Sequence, residues 1–346
     1  MRHAISLTLM VGIAAGTLTM VSGDRGYTQG MAQNAGQGMA PNAAPDPYKV
    51  QEGWPQLPAD RKFGGVIKVQ VDHSDGKSMW VFDRCGSSEC TNSTLPPLLR
   101  FDASGKLERA IGAGLFAVPH ALYIDGDGNV WAGDQIAKNG KGADLIKFSP
   151  DGKVLMTIGK PGMPGNAPGY LSSVSAVVVA PNGDFYVADG HGTGTNDRIV
   201  KFAKDGTFVT AWGKHGKAEG EIDTPHGIAL DSAGRVYVAD RVNNRIQIFL
   251  PDGKFVAEWK QFGRPSDVVI DKNDVMYVND AQSTDKTNPG FQQGIRVGSV
   301  KDGKVTAFIP QTDPVIGAPE GLGADEDGNI YGAYQAQGMV RKFVKK

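Results

Sequence analysis

The sequence predicts an all-β protein, a β-propeller of six four-stranded blades. Three observations carry that expectation. A block of four short apolar runs recurs along most of the 346 residues. Each run is about four to six residues long, rich in Val, Ile, Phe and Tyr, and bounded by turn residues. Beyond the N-terminal segment, no window of about 12 residues carries a 3.6-residue apolar period, while 47 glycines suit a chain of many tight turns.

The clearest block is TPHGIALDSAGRVYVADRVNNRIQIFLPDGKFVAEW, residues 224–259. Its runs are GIAL, VYVAD, RIQIF and FVAEW. Ala-Gly and Asp-Gly separate them, and glycine supplies the positive φ that hairpin turns need. One block is therefore a four-stranded antiparallel meander.

Counting blocks requires an anchor, the residue that closes the first strand. Asp72, Asp125, Ala180, Asp231, Asp271 and Asp325 fall at equivalent places, at spacings of 53, 55, 51, 40 and 54 residues. Four strands on such a period are the signature of a propeller, and six blocks give six blades. The last block stops after its third strand, VRKFVKK, which would leave an open sheet edge. Tyr48 to Gln51, before the first block, can supply the missing strand and close the ring.

Three segments follow from this count. Residues 1–23 read as a secretory signal: Arg2 and His3 precede an uncharged run from Ala4 to Val21, then Ser22 and Gly23. An uncleaved membrane anchor is the alternative, and cleavage would leave no stable span. Residues 24–47, rich in Gln, Asn, Gly, Ala and Pro, read as a disordered linker. Residues 48–346 form the propeller. The expected location is secreted or periplasmic. A net charge of −1 argues against nucleic acid as a partner, because phosphate binding needs a basic excess. A monomer is expected.

Propeller geometry sorts residues by face. The start of strand one and the residue after strand two share one face. Five residues before the anchors stand Ile67, His120, Ser175, His226, Ser266 and Glu320. His120, His226 and Glu320 belong to alternate blades, so they should converge on the axis. Each follows a proline (Pro119, Pro225 and Pro319), whose fixed φ steadies the backbone. Two imidazoles and a carboxylate suit zinc or another divalent metal, and a metal-free polar cluster is the alternative. After strand two come Arg84, Gln135, His191, Arg241, Ala281 and Gln335. Arg84 and Arg241, with Gln135 beside them, would suit a substrate carboxylate. His191 would serve as general acid or base.

Cys85 and Cys90, the only cysteines, read as a local disulfide that closes the loop behind Arg84. So short a loop adds about 2 kcal/mol in the chain-entropy picture. Asp-Gly-Asp-Gly-Asn at 125–129 looks like part of a calcium loop. Ile136 falls where the closing Glu would stand, so the stretch reads as a hairpin turn.

These units resemble NHL repeats. The run from VPHALYIDGDGNVWAGD through TPHGIALDSAGRVYVADRVNNRIQIF is similar to the core of the peptidyl-α-hydroxyglycine α-amidating lyases. The resemblance extends over roughly residues 48–344. It implies a six-bladed propeller with an axial zinc, and cleavage of the C–N bond of a peptide ending in α-hydroxyglycine, releasing glyoxylate. His120 and His226 match two zinc ligands of that family, and Arg84 matches its active-site arginine. His191 stands where the family has a catalytic tyrosine, and Glu320 where it has a third histidine. Gly321 replaces an aspartate that helps hold a structural calcium. A small molecule or peptide with a carboxylate is the implied substrate. Two other functions fit the same fold: a non-catalytic propeller binding a peptide, protein or glycan on its axial face, and a lactonase-type hydrolase. Lactonases typically use a Glu, Asn and Asp metal set, and the two Pro-His sites argue against that class.

Overall fold

The computed structural model describes residues 42–313 and 315–346. The expected signal, and residues 24–41 of the expected linker, lie outside them. Among the described residues there are 24 strands and no helix, hence no helix long and apolar enough to cross a membrane.

The strands form six antiparallel four-stranded sheets, each in sequence order except the last. Blade one comprises β2 (Val66–Val71), β3 (Met79–Asp83), β4 (Leu98–Phe101) and β5 (Leu107–Ile111). Blade two comprises β6 (Pro119–Ile124), β7 (Val130–Asp134), β8 (Asp144–Phe148) and β9 (Val154–Gly159). Blade three comprises β10 (Val174–Val179), β11 (Phe185–Asp189), β12 (Arg198–Phe202) and β13 (Phe208–Trp212). Blade four comprises β14 (Pro225–Leu230), β15 (Val236–Asp240), β16 (Arg245–Phe249) and β17 (Phe255–Trp259). Blade five comprises β18 (Pro265–Ile270), β19 (Val275–Asp280), β20 (Gly294–Ser299) and β21 (Val305–Pro310). Blade six comprises β22 (Gly321–Ala324), β23 (Ile330–Tyr334), β24 (Met339–Lys345) and, as its outer strand, β1 (Tyr48–Gln51). Tyr48 pairs with Lys345 and Gln51 with Lys342, so the expected ring closure is present.

The residues just before β1 do not run free. Asn42 Oδ1 accepts hydrogen bonds from the Gln292 amide and the Arg296 guanidinium. The Pro45 and Pro47 carbonyls accept from the Phe308 and Lys346 amides. Composition marks this stretch as linker because its partners are mostly backbone groups, which composition does not encode.

Two recurring aspartate positions, each filled in five of the six blades, explain why the blocks fold alike. Each anchor aspartate binds its own turn: Asp125 Oδ1 accepts from the Asp127 and Asn129 amides, and Oδ2 accepts from Trp131 Nε1 at 3.0 Å. The 125–129 stretch is thus a hairpin turn whose carboxylate is already used. Asp72, Asp231, Asp271 and Asp325 hold Trp80, Tyr237, Tyr277 and Tyr331 in the same way. At the other end of strand two, Asp83, Asp134, Asp189, Asp240 and Asp280 accept amides of the segment that leads into strand one. Large side chains fill the spaces between blades. Trp80, Phe82, Phe116 and Phe148 pack between blades one and two, and Trp131 meets Phe185 at 4.7 Å between blades two and three.

Candidate metal centre

In five of the six blades the residue five before the anchor sits on a β-bulge. Register shifts interrupt the pairing at Ile67, His120, Ser175, His226 and Ser266. A bulge adds one unpaired residue and re-aims its side chain. Glu320 occupies the same place just before β22, where its amide donates to the Ala333 carbonyl at 2.7 Å. The sequence shows the equivalence of these positions. The bulge that turns them toward the axis appears only in the backbone.

His120 and His226 are both buried, and their rings meet edge to face at 4.7 Å. His120 Nδ1 lies 2.7 Å from the Ser175 carbonyl, and His226 Nδ1 lies 2.5 Å from the Ser266 carbonyl. A carbonyl only accepts, so both Nδ1 atoms carry the proton and both Nε2 atoms present lone pairs. The serines are the intervening members of the same ring of six. Their carbonyls fix the two imidazoles, a role that the sequence hides because a backbone atom performs it.

The Nε2 lone pairs face other acceptors. His226 Nε2 lies 3.1 Å from Glu320 Oε1, and His120 Nε2 is buried with no hydrogen-bond partner. His191 also reaches in: its Nε2 stands 3.0 Å from His226 Nε2, and its ring centre lies 4.7 Å from that of His120. One ligand atom from each of His120, His191, His226 and Glu320 falls within 4.8 Å of all the others. Such a convergence of lone pairs and one carboxylate is repulsive unless a cation or protons lie among them. The donor set fits a divalent metal such as zinc. It brings together the three expected ligands, and adds His191 at ligating distance.

Burial pushes the pKa of His120 and His226 well below the ordinary histidine value, and the neighbouring imidazoles and arginines push the same way. Burial, with Arg241 next in effect, lowers His191 to about 4. All three are therefore neutral near pH 7, the form that ligates metal. His191 is held less tightly, by its amide to Thr195 Oγ1 at 3.0 Å and by its contact with His226.

The two arginines lie deeper than a rim. Arg84 and Arg241 are both buried. Arg241 Nη1 donates to Glu320 Oε1 at 3.2 Å, so part of its charge serves a protein carboxylate. Arg84 Nε donates to the Pro119 carbonyl at 3.2 Å, which steers its guanidinium toward the centre beside His120. Gln135 is half-buried, and its backbone ties Val118 to Ser173. Cys85 and Cys90 form the expected disulfide behind Arg84, with Cα atoms 5.3 Å apart. Cys85 and Thr224, close to Arg84 and His226 in sequence, have φ of 55° and 62°. Positive φ is costly for a β-branched residue such as Thr224. Its amide is held by Asp197 Oδ1 at 3.1 Å.

A structural calcium does not fit at Gly321. That residue offers no side-chain ligand, and a Cβ there would run into the Ile67 carbonyl and the Lys68 side chain. The Lys68 ammonium is buried across the channel in an ion pair with Asp267, whose Oδ2 also accepts the Leu322 amide at 2.8 Å. The axis already holds a positive charge.

Fold and site define the class: a six-bladed β-propeller with a polar, metal-suited axial centre. A family model described as NHL repeat matches residues 223–249. The chain is 33% identical over 190 residues to peptidyl-alpha-hydroxyglycine alpha-amidating lyase 1 of Drosophila melanogaster, covering 49% of this chain and 32% of that protein. It is 32% identical over 219 residues to lyase 2 of the same organism, covering 58% and 50%. Human NHL repeat-containing protein 3 is 29% identical over 201 residues, covering 57% and 54%. The chain thus spans about half the length of the first curated relatives it matches. Among solved structures, a streptogramin B lyase aligns with a TM-score of 0.53 at 16% identity, over 86% of this chain and 98% of that one. A virginiamycin B lyase from Staphylococcus aureus aligns with a TM-score of 0.53 at 17% identity, over 85% and 88%. These last two likenesses concern the fold alone.

Proposed function

We propose that this chain is a divalent-metal-dependent, lyase-like enzyme that cleaves the C–N bond of an α-hydroxyglycine-type substrate and releases glyoxylate. The observation that carries the reading is the convergence of His120, His226 and Glu320, joined by His191, beside two buried arginines. The relatives named as amidating lyases support it. Zinc held by His120, His226 and Glu320 would supply a Lewis acid for a substrate oxygen, with His191 left unligated beside it. Arg84 would bind the substrate carboxylate through its guanidinium, and Arg241 would hold Glu320 in place while adding to the positive field. His191, neutral near pH 7, would take the proton of the substrate hydroxyl. As the C=O bond forms and the C–N bond breaks, it would return that proton to the leaving nitrogen, so atoms and charge balance. The Cys85–Cys90 disulfide supports a secreted or periplasmic location.

Purified protein should retain about one axial divalent ion per chain, read by elemental analysis, and His120→Ala/His226→Ala should lose it. Metal-loaded protein should release glyoxylate from an α-hydroxyglycine peptide. Absence of an axial ion, with no stabilisation by added zinc, would sink the metal-dependent reading.

One observation favours a second reading, a propeller that binds a peptide or protein on this face. Six of the ten large exposed hydrophobics among the described residues, Leu95, Leu115, Ile136, Met163, Val242 and Val315, stand in loops of the axial face, and the other four lie on outer strands. Metal-loaded protein that captures peptides but releases no glyoxylate would select that reading.

A further inference from the structure

We propose that Asn279 is a positioning residue for Glu320, and that it completes a set of three clamps, one behind each expected axial ligand. The proposal rests on the metal-dependent reading of that centre.

Each of these ligands follows a proline whose carbonyl is caught by a side chain of the preceding blade. Arg84 Nε of blade one donates to the Pro119 carbonyl, before His120, at 3.2 Å. The Ser175 hydroxyl of blade three donates to the Pro225 carbonyl, before His226. Asn279 Nδ2 of blade five donates to the Pro319 carbonyl, before Glu320. The ring thus alternates a clamping blade with a ligand-bearing one.

Blade five makes its clamp differently from blade three. In blade three the bulged serine reaches both the Ala188 and the Pro225 carbonyls. In blade five the bulged residue is again a serine, Ser266, but its buried hydroxyl has no hydrogen-bond partner. The donor comes instead from the neighbouring strand. Asn279 pairs with Asp267 where Ala188 pairs with Ala176. The same place holds Phe82, Gly133, Ala239 and Ala333 in the other blades, so an amide side chain there is peculiar to blade five.

Glu320 needs such a clamp more than the histidines do. Each histidine is also fixed through its ring, by Nδ1 on a serine carbonyl. An ionised carboxylate only accepts, so it has no proton to anchor in that way. Asn279 is fully buried, and its Nδ2 also donates to the Glu320 carbonyl at 3.1 Å. The Glu320 amide is bound to the Ala333 carbonyl. The peptide planes on both sides of the Glu320 Cα are therefore held, which sets the direction in which its side chain leaves the backbone.

The test is titration of the full chain with Co²⁺, in competition with a chelating dye and with the visible bands of the bound ion recorded. Alanine fills the equivalent position in blades three, four and six, so Asn279→Ala should fold. Its cobalt affinity should fall by about 10–100-fold, as for other outer-shell partners of metal ligands, and the bands should shift. In a Glu320→Ala background the same substitution should have no further effect. Unchanged affinity in Asn279→Ala would overturn the proposal. So would an equal loss in the Glu320→Ala background, because the effect would then not pass through Glu320. Wild-type protein that binds no cobalt would instead overturn the metal-dependent reading itself, and the clamp with it.

Discussion

Glu320 is the residue on which the axial centre turns. Its Oε1 meets both His226 and Arg241, so one oxygen connects the imidazoles to the guanidinium. Glu320→Gln removes the anionic ligand and leaves the buried Arg241 without its partner. Metal affinity should fall by more than the roughly 10–100-fold typical of outer-shell changes. Glu320→His should recover most of it. Competition with a chelating dye reads both, and unchanged affinity in Glu320→Gln would remove the carboxylate from the ligand set. The sequence reveals His120, His226 and Glu320 because a repeat can be counted. It places His191 on the same face, but not its reach to His226, which depends on an irregular loop tied by Thr195. Nor does it show that Arg241 spends a hydrogen bond on Glu320, since the two stand 79 residues apart.

At the scale of the strand, the aspartate closing strand two has an arginine partner in four blades: Asp83 with Arg61, Asp189 with Arg198, Asp240 with Arg245 and Asp280 with Arg296. Blade two departs from this. Asp144 opens β8 where Arg198 and Arg245 open β12 and β16, so Asp134 faces a second carboxylate. Burial raises Asp134 to about 7, despite the Ala117 amide, and raises Asp144 to about 6. Both ionise near 3.9 in an unfolded chain. Their folded pKa values are therefore raised, and the stability they give is complete below about pH 4 and lost as pH rises through 6 to 7. Asp134→Asn keeps an acceptor for the Ala117 amide and removes the ionisation. Urea unfolding should show the wild type losing on the order of a few kcal/mol between pH 5 and pH 8 from this pair. The variant should show a flatter profile, and identical profiles would contradict the assignment. The substitution of Asp for Arg is visible in the aligned runs DLIKF, RIVKF and RIQIF, but its meaning needs the pairing between strands.

Across the whole molecule, Lys68 and Asp267 join the inner strands of blades one and five over blade six. Breaking such a buried pair costs about 3–5 kcal/mol, because one charge stays behind. Lys68→Met should lower the unfolding midpoint accordingly, while added calcium should leave the wild-type midpoint unchanged. Loss of less than about 1 kcal/mol would mean that the channel hydrates the stranded carboxylate. The six blades and their closure were legible because turn chemistry and strand length repeat. The contents of the channel were not, since Lys68 and Asp267 occupy different ring positions and meet only when the ring is closed. That closure also has an order in time. Tyr48 is the first residue of the ring to be synthesised, and its partner Lys345 is nearly the last. Loop closure over so long a separation is slow. While the ring is being made the earliest strand therefore waits with a bare edge, and only the last strand of blade six removes that liability to aggregation.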